Sequence, residues 1–392
     1  MFLQVHYLTS YHASLLNRDD AGLAKRIVFG GVPRLRVSSQ CQKRHWREWM
    51  TQHTELPRGF RTRHFFSRVL KRRLVDEGGM DEQTAHDLIF HLAKGLLTSA
   101  GAKDAVDKET LAMNQPVLFG EPEAEYFLSL LKEAAGQPDD KAAKSFLDDR
   151  IKEGKANFAA LLRQAGLNDP VAGFEGAMFG RFVTSDVLSR VDAPVHVAHA
   201  FTTHALDTEV DFFTVVDDLA DDQETGAAHA NDMELGAGIF YGYVAVDVPG
   251  LVSNLTGCAR ERWREEALED ARHLLNLLIH AIAQVSPGAK LGATAPYARA
   301  ECVVLEVGDD QPRSLANAYL EPVPLGARRG QPMVRSVDQL AAYLGALEQM
   351  YGDQGERRFV ASIHSWPREG EQVGSLQQAI DAALDQVLEG RS

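Results

Sequence analysis

Residues Phe2 to Leu8, Phe-Leu-Gln-Val-His-Tyr-Leu, alternate: Leu3, Val5 and Tyr7 fall on one side, Gln4 and His6 on the other. That is the period of a half-buried strand. Outward from it, the loop Leu16 to Asp20 (LNRDD) leads through Ile27-Val28-Phe29 into the turn Gly30-Gly31, and Leu35-Arg36-Val37 gives a short extended piece. A helix follows at once. Ser39 with Gln42 three positions on fits a capping box, and Gln40 to Met50 reads as helix with Trp46 and Trp49 turned inward. Lys43 and Arg47 stand four apart, with Ser39 one turn earlier, so a hydroxyl, an ammonium and a guanidinium line one stripe. Such a stripe at a capped helix start suits a phosphate chain.

From about residue 60 to 165 the pattern is mostly helical, as over Thr84 to Leu97, Glu123 to Glu133 and Asp139 to Gln164, with breaks at Gly78-Gly79, Pro116 and Pro138. This reads as a helical insertion. Extended segments return around Phe179 to Val183 and Val195 to His204, and Ile239 to Val248 is apolar on both faces, as in a buried strand. A long amphipathic helix is predicted over Ala259 to Gln284, with Leu268, Ala271, Leu275, Leu278 and Ile282 inward, then a strand over Cys302 to Val307. The order strand, helix, two central strands, helix, strand is the split βαβ pattern of ferredoxin-like folds. The tail adds a helix near Val337 to Met350, a strand over Phe359 to Ile363, and a helix from about Leu376 to Leu388 capped by Ser375.

The chain has 392 residues, 45% hydrophobic and 24% charged, an ordinary globular composition long enough for more than one domain at roughly 150 residues each. No window approaches about 18 uninterrupted apolar residues, and the N-terminus lacks the basic and long apolar regions of a signal peptide. No membrane association and a cytoplasmic location are expected. Cys41, Cys258 and Cys302 show no paired spacing, so neither a disulfide framework nor a cysteine-rich zinc site is indicated.

Charge is unevenly placed. The net charge is -14, yet Lys25 to Arg73 holds 14 Lys/Arg against Glu48 and Glu55, while Val191 to Ala259 holds twelve acids and no Lys or Arg. Two readings follow: the basic region neutralises phosphates, and opposite charges on identical subunits favour head-to-tail association; the plainer alternative is a solvated basic helical face.

Catalytic signatures are weak. His196, His199 and His204, with Asp207 and Asp211, invite a metal, but the spacing is not that of the helical H-E-x-x-H motif. Asp217-Asp218, Asp221-Asp222 and Glu224 lack the calcium-loop spacing and read as a solvated loop tip. Gly30-Gly31 is no phosphate loop, and no G-x-S-x-G elbow occurs.

Three blocks carry a family likeness. Leu16 to Asp20, Phe29-Gly30-Gly31 and Arg34 to Gln40 (RLRVSSQ) with Lys43-Arg44 and Arg47 form the first. His199 to His204, Val210 to Thr214, Val216 to Leu219 and Gly238 to Tyr241 form the second; Val285 to Lys290 (VSPGAK) and Ser314 to Ala318 form the third. Together they resemble the CasC family, the backbone subunit of the type I-E CRISPR Cascade complex.

The resemblance implies an α+β fold: a modified RNA-recognition (ferredoxin-like) palm, an inserted helical finger domain and a long thumb loop. On this chain the palm begins over 1–58, the finger spans 59–178, and 179–392 completes the palm, with the thumb over about 199–236. The implied function is non-catalytic and needs no cofactor or metal. About six copies stack head to tail along a crRNA, with other Cascade subunits, hold its phosphates and present base segments to target DNA in antiviral defence. Carried onto matching residues, Arg18, Lys25, Arg34, Arg36, Ser38, Gln40, Lys43, Arg47 and Lys290 bind the RNA, and Phe201, Thr202, Thr203 and His204 form the thumb that displaces a base. Lys132, Lys141, Lys144 and Lys152 offer a basic finger face, more simply read as solvated helix. Two rivals stay open: a metal-dependent ribonuclease using Asp217, Asp218 or the histidines, as in some related backbone subunits, and a protein-only scaffold.

Overall fold

The computed structural model describes residues 1–97, 105–164, 172–181, 191–215, 229–288, 291–326, 331–352 and 354–390. The strands are β1 (Phe2–Ser14), β2 (Arg26–Phe29), β3 (Val32–Val37), β4 (Gly59–Thr62), β5 (Val117–Gly120), β6 (Val195–Val197), β7 (Ala200–Thr202), β8 (Thr208–Val215), β9 (His229–Asp247), β10 (Ala300–Gly308), β11 (Arg357–Ser362) and β12 (Gln372–Gly374). Two compact units result. The first comprises Met1–His53, His196–Asp247 and Arg272–Ser392; the second comprises Thr54–Val195 and Val248–Ala271.

In the first unit the described residues form one sheet in the order β12-β11-β10-β1-β9-β7-β3-β2, with β6 and β8 also paired to β9. Its centre, β10-β1-β9-β7, is antiparallel throughout. This is the ferredoxin-like order, with the helix Ser39–Met50 after the first strand and Glu269–Gln284 between the third and fourth. Trp46 is buried, as are Ala271, Leu275, Leu278 and Ile282. Trp49 is only half-buried and stacks on His53 at 3.9 Å. The predicted helix from Ala259 begins ten residues late, because Arg260–Glu265 winds as a separate 3-10 turn.

The half-buried reading of β1 is corrected: Leu3 to Thr9 are buried on both faces. Leu315, Tyr319, Val323 and the helix Pro332–Tyr351 pack over Leu8, Tyr241, Cys302 and Val304 on the face opposite the two palm helices. Gln4 and His6 therefore enter a polar network inside the protein. His6 Nε2 lies 3.0 Å from Glu306 Oε2 and its Nδ1 3.0 Å from the Tyr241 hydroxyl, while Gln4 Oε1 accepts from Tyr243 at 2.7 Å. Arg313 and Arg358 reach Glu306 at 3.0 and 2.5 Å. Burial alone would raise the Glu306 carboxyl, but the His6 hydrogen bond and these cations hold it well below the usual range.

In the second unit the helices Glu82–Leu97, Glu121–Ala135 and Asp140–Gln164 follow the predicted helical stretches with ends shifted by a few residues. Phe65 stacks on Phe119 with ring centroids 4.0 Å apart in a core that includes Leu88, Leu92, Phe127 and Leu147. Arg181 and Glu123 form a buried ion pair at 2.7 Å. The extended segment predicted over Phe179 to Val183 differs: Gly173–Phe179 is helical, and Arg181 makes an isolated bridge with Val191. Asn254 Nδ2 donates at 2.9 Å to the carbonyls of Ala177 and Asp192, tying Val248–Thr256 into this unit. No helix among the described residues is long and apolar enough to cross a membrane.

Candidate nucleic-acid interface

The loop before β2 is folded by its own side chains. Asp19 Oδ1 accepts from the Ala21 and Leu23 amides, both at 2.9 Å, an Asx-type closure that needs a short carboxylate at that position. Asn17 then joins this loop to the helix start. Its carbonyl accepts from Lys25 N at 2.9 Å and its side-chain oxygen from Ser38 N at 2.9 Å.

Ser38, not Ser39, caps the helix: its backbone is extended and its Oγ accepts from Cys41 N at 3.3 Å. The cap falls one residue earlier because β3 ends at Val37, leaving Ser38 in the extended geometry a cap requires. Gln42 consequently has no capping role. It is buried, donates to the carbonyls of Val37 and Ala198, and accepts from the Tyr7 hydroxyl.

Around this capped end the structure gathers several of the predicted residues. Arg18 and Gln40 are exposed; Lys25, Arg36 and Lys43 are half-buried, and Arg47, also half-buried, stands in the last turn of the same helix. Arg36 N donates to Lys25 O at 2.9 Å, and Arg36 Nη1 lies 2.9 Å from His199 Nδ1. His199 comes to the site because the second palm strand is interrupted between β6 and β7. Desolvation, then the charges of Arg36 and Lys25, hold its pKa below the ordinary histidine value. His199 Nδ1 accepts from the Arg36 guanidinium, and the cations gathered beside it suit an anion.

Other expected contacts are placed elsewhere. Arg34 is 0% exposed and donates to the carbonyls of Thr202 at 2.9 Å, Tyr319 at 2.8 Å and Phe29 at 3.3 Å. Phe201, Thr202, Thr203 and His204 are all buried. Thr203 Oγ1 lies 3.0 Å from Ser336 Oγ, and His204 Nε2 accepts from Ile239 N at 3.2 Å. As placed, these four side chains face the protein interior at the root of a two-stranded ribbon, in which Thr208 pairs with Gly236 through to Val215 with His229.

Glu234 anchors that ribbon to the hairpin: it accepts from Ala24 N at 2.9 Å and pairs with Arg26. Asn17, His199 and Glu234 were not among the predicted contacts. The Asn and Asp of LNRDD are the residue types that close Asx turns, a signal the sequence offers for Asn17, whereas nothing near Glu234 in sequence marks it. Lys290 and the acidic cluster Asp217, Asp218, Asp221, Asp222 and Glu224 lie outside the described residues. Among the described residues no cluster of three or more metal-binding side chains occurs. The basic run itself divides: Arg58 to Arg73 belongs to the second unit, where Arg58, Lys71 and Arg73 pair with Glu121, Glu82 and Glu125.

A model of the CT1975-like protein family matches residues 3–389. No curated protein matches the sequence. Among solved structures, a chain of "CRISPR RNA-guided surveillance complex, pre-nicking" is similar with a TM-score of 0.80 and 27% identity, over 98% of this chain and 100% of that one. A chain of "CRISPR RNA-guided surveillance complex" shares the fold with a TM-score of 0.58 and 22% identity, over 97% and 98% respectively.

Proposed function

The chain belongs to the CT1975-like protein family, the CasC family of the sequence likeness, and from that membership we propose that it is the backbone subunit of a type I-E CRISPR surveillance complex. Several copies, about six, stack head to tail along crRNA beside other Cascade subunits. The subunit holds phosphates and leaves the bases free, so base pairing with target DNA supplies specificity. It cleaves nothing. Residues 1–58 and 179–392 act as palm, 59–178 as finger and about 199–236 as thumb, although residues 54–58, 179–195 and 248–271 of that palm belong to the second compact unit.

The observation that carries this reading is the set of cations that runs from the capped helix start at Ser38 to Arg47 in the helix's last turn. Arg18, Lys25, Arg36, Lys43 and Arg47, with the Ser38 cap and Gln40, form a sequence-neutral phosphate track. The closed sheet supports it from the other side. In an open RNA-recognition sheet, exposed aromatics stack on bases; here Tyr241 is buried beneath Tyr319, with ring centroids 5.3 Å apart. Backbone capture at the sheet's edge is what remains.

Binding of single-stranded RNAs of unrelated sequence across a salt series tests the proposal. Five phosphate contacts give a log-log slope of about -3.5 and similar affinities for all sequences. Strong preference for one sequence contradicts it. In the same tubes with magnesium, the RNA stays intact for wild type and Asp217→Ala alike; cleavage lost in the variant would instead establish the ribonuclease.

A further inference from the structure

Arg34 is the anomaly of the basic run. Its side chain is inaccessible to solvent, yet among the described residues no carboxylate pairs with it; its partners are three backbone carbonyls and, at 6.0 Å, the ring of Phe29. A buried cation without an anion is costly unless fixed dipoles replace its water. The three carbonyls come from three elements: Phe29 ends β2 at the hairpin turn, Thr202 ends β7 where the chain leaves for the ribbon, and Tyr319 lies in the segment that closes the sheet.

Other contacts meet at the same junction. Val323 N donates to Thr203 O at 2.9 Å. Gly30, with φ +61°, packs so closely that an added Cβ would stand 1.7 Å from Leu320 O. The hairpin that carries Lys25 and Arg36, the root of the ribbon and the C-terminal segment are thus assembled around one guanidinium.

We propose that Arg34 is a positioning residue, which sets the ribbon's point of departure against the phosphate track and does not itself touch RNA. This rests on the guide-binding reading above. A planar fork of donors can reach several carbonyls at once, which a lysine ammonium on a single stem cannot reproduce.

The test uses the full chain as wild type, Arg34→Lys, Arg34→Met and, as a direct-contact control, Lys43→Ala. Two measurements are made: RNA affinity across a salt series, and amide hydrogen exchange at Thr203, His204 and Leu320. Lys43→Ala should lower the salt slope by about 0.7. Both Arg34 variants should weaken binding about tenfold with the slope unchanged, as expected when a binder loses preorganisation, and should speed exchange at the junction while the Phe65–Phe119 core stays protected.

A slope lowered by about 0.7 in Arg34→Lys would make Arg34 a phosphate contact and overturn the proposal. So would wild-type affinity in that variant, or unchanged exchange at the three amides. If Arg34→Met does not fold, Arg34→Lys decides. If wild type binds no RNA, the guide reading fails, while faster exchange in Arg34→Lys still identifies the clamp.

Discussion

His6 Nε2 stands 3.0 Å from Glu306 Oε2 with neither side chain exposed. The pair crosses β1 and β10 at the centre of the sheet, on the face that Leu315, Tyr319 and the helix Pro332–Tyr351 cover. A face sealed around such a network belongs to the scaffold. On the proposed reading, the RNA is then held at the edge where β2, β3 and the Ser39–Met50 helix meet.

Glu306→Gln leaves Arg313 and Arg358 facing a neutral amide. Both arginines keep other carboxylates, Glu356 for each and Glu348 and Glu371 for Arg358, so urea denaturation should read a loss below the ~3–5 kcal/mol of a buried charge left wholly unpaired. Because Glu306 titrates below its unfolded value, its stabilisation is present above about pH 4.3 and fades as pH falls through the folded pKa. Below pH 4 the difference between wild type and Glu306→Gln should shrink.

Lys43→Ala with Arg47→Ala should lower guide affinity for every spacer sequence by a similar factor and reduce the salt slope by about 1.4. The circular dichroism spectrum should be unchanged. A loss confined to one sequence would mean base readout by the helix.

Binding should strengthen as pH falls from about 7 toward 5.5, in the range where histidine titrates. Free His199 is held below its ordinary pKa by desolvation and by Arg36 and Lys25; a phosphate beside it favours the proton, so RNA binding takes up protons. His199→Asn should flatten the pH dependence in binding isotherms while leaving affinity at pH 8 near wild type.

Gly30→Ala should destabilise the first unit by more than the ~1–2 kcal/mol that left-handed backbone alone costs, because the methyl also meets Leu320 O. Gly31→Ala, with φ +79° and nothing within 4 Å, should cost the conformational part only. Thermal unfolding of the two variants separates the terms.

The ferredoxin-like order was legible because strand and helix periods alternate cleanly: Phe2 to Leu8, the helix at Trp46, Ile239 to Val248 and Cys302 to Val307 each carry their own pattern. The closed face was not. Gln4 and His6 look solvent-facing on any alternation rule, and only Glu306, Arg313 and Tyr241, distant in sequence, make their burial tolerable. For the candidate site, Lys43 and Arg47 are marked by charge and helix spacing, and Lys25 by the basic run and the family likeness. Arg34 shows the limit of that reasoning, since an arginine in a basic run has the same sequence signature whether it meets phosphate or three carbonyls. Ser38 and Ser39 differ only in where β3 ends, a boundary that propensity does not resolve.

The most direct measurement is the RNA retained by the protein purified at low salt from cells expressing a guide locus, read by absorbance ratio and sequencing. Full-length guides of many spacer sequences, at several protein copies per strand, are the predicted result. Protein that emerges free of RNA in the presence of its partner subunits would contradict a guide-binding backbone.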